Sequence, residues 1–470
     1  MPYRLTLSTL TVAMLLAGCA MLEPQYTQPA APVTANWPTA PDTKASGAPA
    51  AQVSWNDFVD DAKLRQVIDL ALANNRDLRI ALLNVEKTRA QYQIQRAALI
   101  PHINATGTEN AARTPADLSS TGRETVTHAY NASVGLSTYE IDLFGQLQSL
   151  KDAAMEQYLS NIDARRSAQI SLAAQVSTAW LTLQADKAHL QLAQQTFKNQ
   201  QDEYALSKRR FDAGASSQLD LSQAEVVLDT ARGDAARYTA VVDQDLNALT
   251  LLVGTSVPSD LLPGDWSNDG TALRVVPGGM PSDLLRNRPD ILAAEHQLKS
   301  ANANIGAARA AFFPSITLTS SVGTASNALN GLFKAGSRAW TFAPQINLPL
   351  FDGGVNLANL QVSKVNRDIA VAQYEKSIQT AFREVADAMA AQATFGEQIE
   401  AQKALVKATD QSYQLSNARF NKGVDSYLNV LDAQRTLYAA RHTLINLQLA
   451  EAGNRITLFK ALGGGSASIQ

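Results

Sequence analysis

Two long stretches of the chain place an apolar side chain at every seventh residue. Neither proline nor glycine occurs between Gln146 and Arg210. In this first stretch the seven-residue repeat is formed by Val176, Leu183, Leu190, Phe197, Tyr204 and Phe211. In the second stretch it is formed by Val385, Ile399, Val406, Tyr413 and Phe420, with Gln392 as the one polar step. A sustained seven-residue period is typical of helices that supercoil around neighbours. It predicts two very long helices, the first extending roughly 98 Å at about 1.5 Å per residue.

Shorter segments alternate apolar with small polar side chains, as β-strands with two different faces do. In "SITLTSSVG", residues 315–323, Ile316, Leu318 and Val322 share one face. The segments "THAYNASVGLST" (127–138) and "AWTFAPQINLPL" (339–350) alternate in the same way. Pro344 within the last segment removes a ladder hydrogen bond, which predicts a bulge there.

The chain contains two copies of one unit. Segments that start at Asn74 and Asn287 align without gaps and pair Pro101 with Pro314, 213 residues apart. Gly214 of "RFDAGASSQLD" likewise pairs with Gly423 of "RFNKGVDSYLN", 209 residues apart. Each copy is predicted to hold a helix of about 30 residues ending at the proline, then strands, then the long helix. After the glycine turn, a helix of about 35 residues returns.

Four strands of nine or more residues are each long enough to cross a bilayer. Four strands cannot close a barrel, however, and lipid tolerates no open sheet edge. If the strands span a membrane, a dimer would share eight of them, a trimer twelve and a tetramer sixteen. The same periodicity also fits a large soluble coiled-coil protein with surface hairpins, so the residues alone leave these alternatives open.

The start of the chain predicts secretion and a lipid anchor. Arg4 precedes an apolar stretch, and small residues precede Cys19, the only cysteine. "LAGC", residues 16–19, resembles the bacterial lipobox, which implies N-palmitoyl and S-diacylglycerol groups on Cys19. Ala20 follows in place of aspartate, and by resemblance to lipoprotein sorting signals this favours the outer membrane. The Pro- and Ala-rich residues after Cys19 predict a tether, with ordered structure beginning near Trp55.

Composition and motifs point away from nucleic acid and from catalysis. The net charge is −3, and no basic patch stands out. The five histidines have no ligand spacing, and neither GxSxG nor HExxH occurs. Only four methionines follow the cleavage point, which gives little support to a Cu(I) route. We therefore expect no enzyme activity, no metal site and no cofactor besides the acyl groups.

Longer motifs carry a resemblance to a known family. The segment from Val276 to Leu318 is similar to the middle of the TolC/OprM family, the outer-membrane factors of tripartite efflux pumps. "YEIDLFG" (139–145), "LFKALGGG" (458–465) and the two glycine-centred stretches resemble the same family, and the lipobox resembles its lipoprotein branch. The resemblance covers the chain from about Trp55 to its end. It implies an α+β membrane protein: a homotrimer with a twelve-stranded outer-membrane β-barrel, four strands per chain, continued by a long α-helical coiled-coil periplasmic tunnel.

The resemblance and the duplication together predict the organisation of the chain. The expected segments are a signal peptide (1–18), a lipid-anchored tether (19–54), a first repeat (55–254), an equatorial connector (255–281), a second repeat (282–463) and a C-terminal tail (464–470).

By resemblance, the helical tips close the tunnel like an iris. The gate positions of the family fall on Leu428, which would plug the lumen, and Asp432, which would ring it, with Arg435 one helical turn on. The alternative is that Asp432 and Arg435 form an ordinary surface pair. The family also links its tips through an aspartate, here Asp220. Because Asp425 stands where TolC has arginine, Asp220 and Asp425 are expected to repel, and that link would not carry over intact.

The predicted function is that of the outer-membrane channel of a tripartite pump. It would passively conduct drugs or other small toxic compounds received from an inner-membrane RND transporter and a periplasmic adaptor. The resemblance implies that the adaptor docks at the tips, on Ala213, Gly214, Ala215, Lys422, Gly423 and Val424. The alternative is a duct for type I secretion or heavy-metal export.

Overall fold

The computed structural model describes residues 22–34, 37, 50–266, 273–274 and 288–465. The predicted signal peptide, Cys19, most of the later part of the connector and residues 466–470 lie outside the described residues. The elements of the first copy are α1 (Trp55–Phe58), α2 (Ala62–Asn74), α3 (Arg76–Ala97), β1 (Ile103–Thr114), β2 (Thr125–Ile141), α4 (Gln146–Asp212) and α5 (Gln218–Val253). Those of the second copy are α6 (Pro289–Ala310), β3 (Ser315–Ser326), β4 (Arg338–Asn347), α7 (Val355–Asn421) and α8 (Tyr427–Ala461). The described residues divide into two compact units.

The first unit, residues 22–30, 84–161 and 294–374, contains the β-sheet. The four strands are antiparallel in the order β1-β2-β3-β4 and have 12, 17, 12 and 10 residues. The expected bulge at Pro344 is wrong, because β3 and β4 stay in register through Leu318 and Pro344. Among the described residues β4 pairs with β3 alone, and a proline is tolerated in a strand with a free edge. The irregularity lies in β2 instead, between Leu136 and Tyr139, where Thr138 has a positive φ of 51°.

The helices before the strands are shorter than predicted. α3 and α6 each have 22 residues in place of about 30, and neither reaches its proline. After Ala97 a tighter turn follows, in which the Ile100 amide donates to the Ala97 carbonyl over 3.0 Å. The residue before a proline disfavours helical backbone, so the helix ends ahead of it. At the other end, Asn75 separates α2 from α3, and its side chain accepts a hydrogen bond from the Leu78 amide at 2.8 Å.

The second unit, described over 31–34, 37, 50–83, 162–266, 273–274, 288–293 and 375–465, holds most of the long helices and the main core. α4 and α7 each have 67 residues, and α5 and α8 have 36 and 35, as the periodicity predicts. Val176 and Leu183 of the seven-residue beat are buried, together with Trp180. Phe58 stacks on Phe459 with ring centroids 4.0 Å apart, so the C-terminal end of α8 closes this core.

The segment after Cys19 is not the free tether that its composition predicts. In the first unit, Asn302 donates to the Pro24 carbonyl over 2.8 Å, and the Tyr26 hydroxyl donates to Glu295 over 3.2 Å. In the second unit, Trp37 is buried and stacks on Phe382 at 4.6 Å. Ordered structure therefore begins well before Trp55. Isolated aromatic anchors hold this segment, and they produce no periodic signal in the sequence.

Candidate channel wall and helical tips

The sheet has one apolar face and one hydroxyl-rich face. In β4, Trp340, Phe342 and Ile346 share a face, and Trp340 is 73% exposed. On the other face, hydroxyl groups meet across neighbouring strands: Thr106 and Ser133 lie 3.1 Å apart, and Ser321 and Thr341 lie 2.8 Å apart. The next pair on this face is Asn104, which donates to Ser137 over 2.7 Å. Large exposed apolar side chains on one side and hydroxyls on the other suit lipid and water respectively.

The two glycine stretches form hairpin tips with the same geometry. Gly214 has φ 73° and Gly423 has φ 72°, the left-handed conformation that glycine adopts without steric penalty. The Ala215 amide donates to the Arg210 carbonyl at 2.8 Å, and the Val424 amide donates to the Arg419 carbonyl at 3.0 Å. This bond satisfies a free carbonyl at the end of a long helix. The predicted docking residues, Ala213, Gly214, Ala215, Lys422, Gly423 and Val424, are all exposed at these two tips.

Asp220 and Asp425 each have a partner within their own tip. Asp220 forms a capping box with Ser217: its amide donates to the Ser217 hydroxyl at 3.1 Å, and its carboxylate accepts from the Ser217 amide at 3.0 Å. Arg419 holds Asp425 through two hydrogen bonds of 2.5 and 3.0 Å, and this partner lowers the pKa of the carboxyl. The expected repulsion between the two aspartates is therefore offset locally, in the one case by helix capping and in the other by an ion pair.

Aromatic side chains join the two hairpins close to the tips. The Arg210 guanidinium of α4 lies 4.9 Å from the centre of the Phe420 ring of α7. Phe420 in turn packs on Tyr427 of α8, with ring centroids 5.1 Å apart. Tyr427 is buried beside Ala224 of α5, so all four long helices contribute to this aromatic cluster. A cation over a ring and packed rings each add about 0.5–1.5 kcal/mol.

Three of the four predicted gate residues lie together in a groove formed by α4, α5 and α8. Leu428, Asp432 and Arg435 line this groove, whose volume is about 590 Å³. Asp432 accepts a hydrogen bond from Arg435 at 2.7 Å, and these side chains are 66% and 83% exposed. Leu428 is also 58% exposed, beside Leu219 and Val226 of α5. Asp220 does not line the groove, so the structure groups three of the four predicted gate residues and separates the fourth.

Sequence reasoning missed two residues that connect the hairpins, Arg210 and Tyr427, and one that stabilises its own tip, Arg419. Arg210, Arg419 and Tyr427 had no assigned role, although Arg210 and Arg419 are the first residues of the two "RF" pairs. The sequence did contain one indication of their importance: Arg210 and Arg419 occupy equivalent positions 209 residues apart, in the last turn of each long helix.

None of the helices in the described part of the chain combines the length and the apolar character needed to cross a membrane. Within the same residues, no three His, Cys, Asp or Glu side chains come together in a way that could hold a metal ion.

A two-faced antiparallel sheet joined to long coiled-coil hairpins is the architecture of an outer-membrane channel. The chain belongs to the outer membrane efflux protein family, whose profile matches residues 67–255 and 280–464. It is 48% identical over 462 residues to the toluene efflux pump outer membrane protein TtgC of Pseudomonas putida, covering 98% of this chain and 95% of that protein. The antibiotic efflux pump outer membrane protein ArpC of the same species has the same identity and coverage.

A solved structure confirms the fold class. The open state of the MtrE outer membrane channel of Neisseria gonorrhoeae superposes with a TM-score of 0.85 at 38% identity, covering 95% of this chain and 98% of that one. The prediction of an α+β outer-membrane efflux channel, with four strands per chain and long coiled-coil helices, is therefore correct. The soluble coiled-coil alternative is excluded by the family.

Proposed function

We propose that three copies of the chain form a passive conduit through the outer membrane, with twelve strands closing one barrel. The observation that carries this proposal is the sheet: β1 and β4 each pair with a single described strand, which leaves two edges to be closed by other copies. Lipid requires closure of such edges. The exposed apolar face would contact lipid, and the hydroxyl face would line the water-filled interior.

The proposed cargo is small toxic compounds, delivered by an inner-membrane RND transporter through a periplasmic adaptor. The names of the relatives TtgC and ArpC refer to toluene and antibiotics. Hydroxyl pairs such as Thr106 with Ser133 offer weak polar contacts, which suit conduction because cargo must leave as readily as it enters. The chain itself would conduct only, and the energy would come from the transporter.

We assign the resting gate to Leu428, Asp432 and Arg435, and the adaptor-docking surface to the two exposed tips. The groove that the three gate residues line supports this assignment. Asp220 would act indirectly, since its capping box fixes the start of α5 just after the tip. The aromatic cluster around Phe420 and Tyr427 would hold the hairpins together in the closed state.

Single-channel recording in planar bilayers tests the gate. Asp432→Ala and Leu428→Ala are each expected to raise the open probability several-fold, because one releases Arg435 and the other removes apolar bulk from the groove. Asp229 is a matched control: it forms the same kind of exposed pair with Arg232, at 3.1 Å, and does not line the groove. Unchanged conductance and open probability in both gate variants would refute the assignment.

A second experiment tests docking. Ala213→Trp and Lys422→Trp place a large ring on each exposed tip and are expected to reduce co-purification with the adaptor and efflux from cells. Conductance in bilayers should stay normal, because the barrel and the gate are unchanged. Normal efflux by both variants would remove the tips as the docking surface.

A further inference from the structure

Two histidines stack on each other where α8 crosses the first hairpin. His189 of α4 and His442 of α8 have ring centroids 4.0 Å apart with an angle of 23° between their planes. Tyr238 of α5 stacks on His189 at 5.2 Å and hydrogen-bonds His442 Nε2. His189 is almost fully buried. The histidine pair and Tyr238 therefore join three helices and hold α8 against α4 and α5.

The hydrogen bonds of the pair suit neutral rings. Asn446 lies between them: its Oδ1 is 3.0 Å from His189 Nε2, and its Nδ2 is 3.1 Å from His442 Nδ1. With this amide orientation, His189 donates from Nε2, and His442 accepts at Nδ1 and donates from Nε2 to Tyr238. His189 Nδ1 is buried without a partner in the described residues. A second proton on His189 would be unpaired, and one on His442 would face the Asn446 donor.

Charged groups surround the pair on each neighbouring helix. Arg237 of α5 opposes protonation of both rings, whereas Asp186 of α4 favours it in both cases and Asp234 of α5 favours it at His442. Asp245 of α5 lies beside Asp186, and burial together with this neighbour raises the pKa of Asp245 to about 7. Asp245 therefore becomes neutral as the pH falls through this value and then adds no attraction for a cationic ring.

Two polar groups of α8 close to the pair are bonded to neighbouring helices. Arg441, next to His442, is held by Asp410 of α7 at 2.8 Å. Tyr438, one turn earlier on α8, donates to Asp234 over 3.3 Å. Burial and Arg237 favour neutral rings and outweigh the attraction of Asp186 and Asp234, so the pKa of both histidines is lowered.

We propose that the His189–His442 pair senses the pH of the surrounding compartment and favours separation of the two hairpins when that compartment becomes mildly acidic. This inference rests on the proposed gate at the tips, and it adds a regulatory input to that gate. Acid would break the stack and the Asn446 bridge, and α8 would then be free to move away from α4 and α5. The gate residues Leu428 and Asp432 lie on the same helix and would move with it.

The direction of the effect follows from the pKa values. Burial is the main cause that lowers the pKa of both rings below the ordinary value of 6.5. The stacked state therefore binds fewer protons than the separated state. It keeps its full stability above about pH 6.5 and loses stability as the pH falls below that value.

The test uses the full-length trimer in planar bilayers at about pH 7.5 and about pH 5.5, either side of an ordinary histidine pKa. The open probability of the wild type is expected to rise several-fold at the lower pH, because rings released from burial bind protons more readily. The variant His189→Gln/His442→Gln should lose this rise, because glutamine keeps a hydrogen-bonding group that does not titrate. His102→Gln is the control, since His102 is exposed and outside the pair, and it should respond as the wild type does.

A distance measurement distinguishes a failure of the proposed pH sensor from a failure of the proposed channel function. Spin labels on Glu225→Cys of α5 and Asn429→Cys of α8, both exposed positions, should move apart at the lower pH only when both histidines are present. An equal pH response in wild type and double variant, in either measurement, overturns the sensor. Absence of conductance at every pH, with the labels still separating on acidification, would instead overturn the conduit and keep the sensor.

Discussion

At the scale of single residues, Tyr427 has an unsatisfied polar group close to the tips. Its hydroxyl is buried without a hydrogen-bond partner in the described residues, and burial, with Glu203 nearby, raises its pKa to about 12. A buried hydroxyl without a partner costs about 1–3 kcal/mol. We predict that Tyr427→Phe raises the free energy of unfolding by about 1 kcal/mol, because the ring packing stays while the unpaired group disappears. Thermal unfolding of the trimer in detergent measures the change.

Tyr438→Phe is the control for that prediction, since the Tyr438 hydroxyl does have a partner in Asp234. It should lower the stability by about 1 kcal/mol, the usual contribution of such a bond. If Tyr427→Phe lowers the stability as much as Tyr438→Phe does, the Tyr427 hydroxyl has a partner that the fold requires.

Arg288 is the residue whose removal should do most damage. Its side chain is 7% exposed, and it bonds Asp290 at 2.7 Å, Glu384 at 3.0 Å and the Ala461 carbonyl at 2.9 Å. Arg288→Met leaves two carboxylates without their cation, and we expect a loss of about 3 kcal/mol, at the lower end for a broken buried pair because both acids are partly exposed. Arg288→Lys should recover little, since one ammonium cannot match the three-way geometry. Arg435→Ala, which also removes an arginine but at an exposed pair, should cost under about 1 kcal/mol.

At the scale of elements, two glycines allow β2 and β3 to approach. A Cβ on Gly135 would lie 2.1 Å from the Ser320 carbonyl oxygen, and a Cβ on Gly323 would lie 2.1 Å from the Ala132 carbonyl oxygen. Gly135→Val and Gly323→Val should therefore disrupt strand pairing and strongly reduce the yield of folded trimer. On a denaturing gel of unheated samples, the slowly migrating trimer band, which disappears on heating, should be lost. Gly107→Ala in β1 is the control, because a Cβ there meets nothing within 4 Å. Normal trimer yield from both valine variants would show that β2 and β3 pair differently.

The elements also show what a sequence can predict. The seven-residue beat gave the long helices to within a few residues, because the repeat of buried positions is itself a local property of each helix. The glycine turns were predictable for the same reason, since a single residue supplies the left-handed backbone. Contacts between distant segments were not. The histidine pair joins positions 253 residues apart, and Trp37 meets Phe382, so no local pattern encodes either contact.

At the scale of the whole molecule, the lipid anchor proposed at Cys19 and the strands would be separable ways of holding the protein in the outer membrane. The segment that follows Cys19 is fixed to the fold on its own account: Arg309 donates to the Leu22 carbonyl at 3.0 Å, and Asn302 donates to the Pro24 carbonyl at 2.8 Å. The acyl groups proposed on Cys19 would therefore lie only a few residues along the chain from Leu22, which is bonded to α6.

We predict that Cys19→Ser abolishes incorporation of labelled palmitate, while trimers that do reach the outer membrane keep the single-channel conductance of the wild type. The reason is that each acyl chain contributes membrane affinity of ~0.8 kcal/mol per CH₂ but no part of the sheet or the gate. Arg309→Gln is the complementary variant: it weakens the bond between Leu22 and α6 that lies nearest to Cys19 and should leave the acylation intact. A changed conductance in Cys19→Ser, with a normal one in Arg309→Gln, would show that the lipid itself shapes the pore, and the anchor would then have to be counted as part of the channel.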